Sequence, residues 1–172
     1  MKSFDEKIFF LLMGQMKNKE VAYVMKFIAV YSSSFFLVIY GILFIQLLIT
    51  KDLIFIPYVI GPAMSLLSVM ILRRFIKRKR PFETFDIKPF ITHEKGASFP
   101  SKHGTSAFAI AIAMMWVHPL IGSIGLLLAV LTGLSRVMVG VHYPSDIIAG
   151  VFIAILVSQL TYILSFMPLL YL

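Results

Sequence analysis

Residues 27–50 carry no charged side chain. A bilayer crossing needs ~20 apolar residues, so this one run already limits what the chain can fold into. Lipid offers the backbone no hydrogen bonds, and only helices or closed barrels satisfy their own N–H and C=O groups there. Comparable runs recur at 53–72, 104–117, 120–134 (reaching towards Gly140) and 146–166. With 59% hydrophobic and 14% charged residues, the chain is far from the average soluble domain. The sequence predicts an all-α, polytopic membrane helix bundle of about five transmembrane helices. Its 172 residues leave room for a single domain, 1–172.

Three details refine this expectation. Ala107, Ala109, Ala111 and Ala113 alternate with larger residues, a strand-like period. An isolated strand in lipid would leave its backbone unpaired, so the alanines are read instead as small residues that let helices approach closely. Pro57 and Pro62 fall inside the second run, where neighbouring groups must satisfy the carbonyls they free. Residues 4–16 are apolar at Ile8, Phe9, Leu11, Leu12 and Met16 but flanked by charge. That segment is too short to span and is expected to be an interfacial amphipathic helix. Asp5, Glu6, Lys17, Lys19 and Glu20 argue against a secretory signal there.

The charge is concentrated. Net charge is +8, and of 16 Lys and Arg residues only Lys51 falls on one face of the expected bundle. Such a cluster suits nucleic acid or an anionic surface; in this chain the expected partner is the bilayer, with no nucleic acid, and a juxtamembrane lipid anchor is the plain alternative. Oligomeric state is not legible. The absence of cysteine removes disulfides, thiolate metal sites and cysteine nucleophiles.

Two spans separate the polar stretch 73–103 from the polar stretch 135–146, so both lie on one face. They bring together Arg73, Arg80, Arg136, Ser101, His103, His142 and Asp146. Planar guanidiniums bind phosphate oxygens bidentately. Ser101 precedes a helical run and can cap it, leaving N–H groups to face an anion. His142 and Asp146 are four residues apart; the carboxylate can hold one ring nitrogen and leave the other as a nucleophile. His103 is then free to protonate a leaving oxygen.

These segments resemble the three signature motifs of the type 2 phosphatidic acid phosphatase superfamily of membrane lipid phosphatases: Lys-x6-Arg-Pro, Pro-Ser-Gly-His and Ser-Arg-x5-His-x3-Asp. Residues 73–81, 100–103 and 135–146 match them in order. Arg73 replaces the usual lysine and Lys102 the usual glycine; the first changes donor geometry, the second adds a cation beside the phosphate site. A non-glycine residue at the Lys102 position, and the runs 89–93 and 97–101, resemble relatives acting on undecaprenyl diphosphate.

The resemblance implies that His142 attacks phosphorus to form a phosphohistidine, oriented by Asp146. Arg73, Arg80, Arg136 and Ser101, with Lys102 beside them, would bind the phosphoryl oxygens, and His103 would protonate the leaving group and then activate water. It implies a lipid phosphate or diphosphate substrate, with no metal and no cofactor. Glu83, Asp86 and Glu94 have no cage-like spacing. His93 and Glu94 are read as solvated loop residues within reach of a head group, and His118 as a turn residue. Sidedness is in conflict: the basic count puts the catalytic face in the cytoplasm, whereas the resemblance implies a multi-pass cell-membrane protein with an extracytoplasmic site. The expectation follows the resemblance.

Overall fold

The computed structural model describes residues 3–167. Among the described residues seven α-helices follow one another, with a 3-10 turn at Gln15–Lys17 after the first: α1 (Phe4–Gly14), α2 (Lys19–Thr50), α3 (Phe55–Phe75), the single turn α4 (Pro81–Thr84), α5 (Lys102–Val117), α6 (Pro119–Met138) and α7 (Pro144–Phe166). No strand occurs among the described residues. Among the described residues four helices, α2, α3, α6 and α7, are long and apolar enough to cross a membrane. The fifth expected span, α5, has only 16 residues and rises ~24 Å. It is the central helix, packed on α2, α3, α6 and α7, so its neighbours shield its polar start from lipid.

The composition of α5 explains how it fits there. Ala107, Ala109, Ala111 and Ala113 are all buried, and they let four helices close on one axis without large side chains between them. Larger apolar residues point outwards from the surrounding helices: Leu37, Ile42 and Ile49 on α2, Phe152, Leu156 and Leu160 on α7. A soluble protein would bury such residues; here lipid is the solvent.

Pro62 shows how the fold meets the backbone requirement. It lies inside α3 and has no N–H to give the carbonyl one turn back, that of Tyr58. The Tyr40 hydroxyl of α2 donates to the Tyr58 carbonyl at 2.9 Å. The Tyr58 hydroxyl in turn donates to the Tyr40 carbonyl at 2.8 Å, and the two rings stack at 4.4 Å. The Tyr58 carbonyl is therefore not left an orphaned acceptor, and the paired tyrosines tie α2 to α3.

α1 begins with a reciprocal cap between Ser3 and Glu6. It lies across the polar end of α6 and α7 rather than on lipid alone. Its Phe9 is fully buried with Val137 and Tyr143, and stacks on Phe85 at 6.0 Å. The expected interfacial helix is thus also a packing element of the site face.

α7 presses closely on the start of α5. A Cβ placed on Gly150 would come within 2.6 Å of Thr105 Oγ1 and 3.2 Å of the Ser101 carbonyl. Gly150→Ala is expected to lower stability by ~1–3 kcal/mol, as overpacking does, and to lower turnover because it displaces Ser101. Gly41→Ala, which meets nothing within 4 Å, serves as the control. Thermal unfolding in detergent, together with assays of the lipid phosphatase activity that the sequence resemblance implies, reads both effects.

Candidate active site

The loop between α6 and α7 carries the first histidine. α6 ends at Met138, and Gly140 takes a φ of 90°, a left-handed value that favours glycine. The chain turns back there, and the Arg136 carbonyl accepts from the N–H groups of both Val141 and His142. His142 ends up 1% exposed.

Asp146 sits in the first turn of α7 with no exposed surface. Its Oδ2 accepts from the Tyr143 N–H at 2.9 Å, which caps α7, and from the Ser98 hydroxyl. The same oxygen lies 3.3 Å from His142 Nδ1. With Nδ1 as the donor to the carboxylate, His142 Nε2 is the free nitrogen. Burial pushes the His142 imidazole down to about 4; Asp146 opposes this, and Arg80 and Arg73 add to it. The ring is therefore neutral at physiological pH, and its Nε2 lone pair points at Arg80 Nη1, 3.4 Å away.

Cations surround that lone pair. Arg80 is 4% exposed; its Nη1 lies 3.4 Å from His142 Nε2 and donates to the Val141 carbonyl at 3.1 Å. Arg73 donates from Nε to the Pro100 carbonyl at 2.8 Å and from Nη2 to the Ser98 carbonyl at 3.1 Å. Arg73 thus clamps the loop that precedes α5 while facing the cleft. Arg136 is also buried. The Nε atoms of Arg80 and Arg136 have no hydrogen-bond partner among the described residues. A buried donor without an acceptor is costly, and this pair belongs to side chains that suit phosphate.

Ser101 is fully buried, and its hydroxyl accepts from the Gly104 N–H at 3.2 Å. It caps α5, and its own N–H donates to the Asp146 carbonyl at 3.0 Å. The loop, α5 and α7 are stitched together at this point.

Three cavities share His103. A polar cleft of about 360 Å³ is lined by Arg73, Arg80, Lys102, His103 and His142, with His93. A wider opening of about 610 Å³ adds Arg136. An apolar groove of about 440 Å³ runs from Lys102 and His103 between α2, α3 and α5, past Phe36, Leu66 and Ile110. His93, read from sequence as solvated loop, is half-buried with its ring 6.3 Å from that of His103. Glu94 and Lys95 line the polar cleft beside it. His118 lies at the far turn, as the C-cap of α5. Among the described residues no three His, Asp or Glu side chains are grouped to hold a metal ion.

Sequence reasoning missed Arg78, Ser98, Ser145 and Asp5. Arg78 donates from Nη1 to Asp146 Oδ1 at 2.8 Å. Nothing in the run of basic residues 77–80 separates Arg78 from its neighbours; only its tertiary partner does.

The chain matches the family model of the PAP2 superfamily over residues 52–168. It is 42% identical over 81 residues to undecaprenyl-diphosphatase BcrC of Bacillus subtilis, covering 47% of this chain and 42% of that protein. It is 38% identical over 96 residues to a lipid A 1-phosphatase of Rhizobium johnstonii, covering 53% and 39%. The matched segments thus span about two fifths of these curated relatives. The fold is similar to the crystal structure of LpxE of Aquifex aeolicus, with a TM-score of 0.77, 24% identity and coverage of 94% and 96%. It is also similar to a phosphatidylglycerolphosphate phosphatase of Bacillus subtilis, with a TM-score of 0.65, 24% identity and 92% of each chain covered. With the family model matched across more than half of its length, this multi-pass membrane chain belongs to the PAP2 superfamily.

Proposed function

We propose that this protein is a metal-independent membrane lipid phosphatase that converts undecaprenyl diphosphate to undecaprenyl phosphate and inorganic phosphate. The observation that carries the reading is an oriented, neutral His142 whose Nε2 lies 3.4 Å from buried Arg80, with unpartnered Nε donors on both Arg80 and Arg136.

In the first step His142 Nε2 attacks the terminal phosphorus. The N–P bond forms as the bridging P–O bond breaks; His103, neutral in the empty site because burial and then Arg136 hold its imidazole down to about 3, is charged by the proton that the bound diphosphate brings and passes it to the departing oxygen. In the second step His103 takes a proton from water, water attacks the phosphohistidine, and phosphate leaves. Arg73, Arg80, Arg136 and Lys102 stabilise the charge on the phosphoryl oxygens throughout. Ser101 fixes the start of α5, where the N–H groups of the first turn face the same charge. His142 loses its Nδ1 proton to neither partner; Asp146 holds the ring and balances the positive charge it gains.

The apolar groove that reaches His103 supports a lipid substrate, since it offers a hydrocarbon chain a path from the α2, α3 and α5 surfaces to the polar cleft. The names of relatives that act on polyprenyl and lipid A phosphates support a long-chain lipid. Phosphatidic acid or phosphatidylglycerophosphate with the same chemistry is the second reading, favoured by the fold likeness to a phosphatidylglycerolphosphate phosphatase. A non-catalytic anchor would have no use for His103, His142 and Asp146 in this arrangement.

Three expected outcomes follow from this reading. Purified protein releases phosphate from undecaprenyl diphosphate in excess chelator, faster than from phosphatidic acid, and His142→Ala lowers kcat by ~10⁴-fold or more. Loss of activity with chelator, or full activity of His142→Ala, overturns the mechanism. The acid limb of kcat/KM reports the free enzyme; it lies near pH 4, because His142 has to lose its proton before it can attack and burial holds it low. The catalytic face is extracytoplasmic: as the chain has no cysteine, Lys88→Cys is labelled by a membrane-impermeant maleimide in intact cells, and Lys51→Cys only after permeabilisation.

A further inference from the structure

The strongest unassigned cluster lies behind the nucleophile, away from all three cavities. Arg78 is the hub. Its Nη1 donates to Asp146 Oδ1 at 2.8 Å and to Ser145 Oγ at 2.7 Å. Its Nη2 donates to Asp5 Oδ2 at 2.6 Å. Its guanidinium lies 3.8 Å from the centre of the Tyr143 ring, within cation–π range. Asp5, from α1, also accepts from the Ser145 N–H at 3.0 Å and the Ser145 hydroxyl at 2.6 Å. One carboxylate of α1 thus grips the first turn of α7 and the outer nitrogen of Arg78 together.

Ion pairs at a surface usually contribute little. This one differs because its inner end is a fully buried carboxylate. Asp146 Oδ2 is taken by Ser98, Tyr143 and His142, and among the described residues Arg78 is the only partner of Oδ1. The Arg78 fork sets where Asp146 stands, and Asp146 sets the ring plane of His142. Asp5 holds the fork against free rotation, and buried Phe9, four residues on, holds Asp5 in place.

We propose that Asp5 and Arg78 are positioning residues for the reaction, forming a chain from the interfacial helix α1 through Asp146 to His142. The proposal rests on the reading of His142 as nucleophile. The chain also tunes the site. Asp146 stabilises the positive charge on His142, and Arg78 opposes this by drawing on the same carboxylate. The other charged or titratable groups around His142 are Arg73 on α3, Arg80, His93, Glu94 and Lys95 in the loop and Lys102 and His103 on α5, all lining its cleft, with Arg136 on α6 in the wider opening and Glu6 on α1 acting on Tyr143. None of them bonds both Asp146 and Asp5.

The test is a double-mutant cycle on the full chain in detergent, assayed on whichever of undecaprenyl diphosphate and phosphatidic acid is turned over. Asp5→Asn and Arg78→Gln are each expected to lower kcat ~10-fold, the scale of losing an outer partner of an oriented histidine, with KM within twofold. Arg78→Gln moves the acid limb to higher pH, since the carboxylate is freed to stabilise the imidazolium. Asp5→Asn moves it to lower pH, since Arg78 is left unbalanced. Asp5→Asn adds little in the Arg78→Gln background, because Asp5 acts through Arg78. Arg78→Lys restores the acid limb but not kcat, for it keeps the charge and loses the fork; with Asp5→Asn it carries the test if Arg78→Gln does not fold. Folded variants with native kcat and pH profile overturn the proposal, as does lowered thermal stability with an unmoved profile. Full activity of His142→Ala in the same assay would instead remove the nucleophile itself.

Discussion

A single buried carboxylate organises this protein. Asp146 has no exposed surface, and a charge so placed is tolerated only when its oxygens are fully bonded. The bonds come from four places in the chain: Arg78 and Ser98 in the long loop, His142 and the Tyr143 N–H before α7. Satisfying one charge therefore fixes the loop, the turn after α6 and the start of α7 relative to one another. The same bonds set the tautomer and direction of the His142 ring. Fold and chemistry share one requirement here.

The bundle supplies the setting. Small residues on α5 allow four helices to surround it, so the polar start of that helix is screened from lipid yet open to the clefts at His103. Ser101 caps α5 and donates its N–H to the Asp146 carbonyl, which locks two helix starts together. Cations then gather where two helices begin, and within the chain Asp146 and Glu83 offset part of their repulsion. The apolar groove beside them runs along lipid-facing helices. On the proposed reading, the charged head and long apolar tail of one lipid would occupy the two halves.

Much of this was legible beforehand because the bilayer is a severe filter. Long uncharged runs have one outcome, and the runs 53–72 and 146–166 fall within a few residues of α3 and α7. The paired residues His142 and Asp146 were legible because four positions at a helix start make neighbours. Ser101 as a cap followed from its place before a helical run. The central, shortened α5 was less visible, as its 16 residues read like one more span. Asp5 carried no local signal at all: it looked like a charge interrupting an apolar segment, and its partners Arg78 and Ser145 lie 73 and 140 residues away.

By itself the sequence determined the class of fold, the face on which the polar stretches meet and which arginines and histidines are the candidates for a site there. These depend on local quantities: apolar run length, helical spacing and residue chemistry. Only the tertiary structure decided which of the clustered arginines serves which partner. It turned Arg80 and Arg136 towards the clefts, bound Arg73 partly to loop carbonyls, and sent Arg78 backwards to Asp146 and Asp5. Identical side chains within a few residues cannot be told apart by composition. The acceptors that separate them are brought near by the packing of α1, α6 and α7, and desolvation then makes each pairing obligatory.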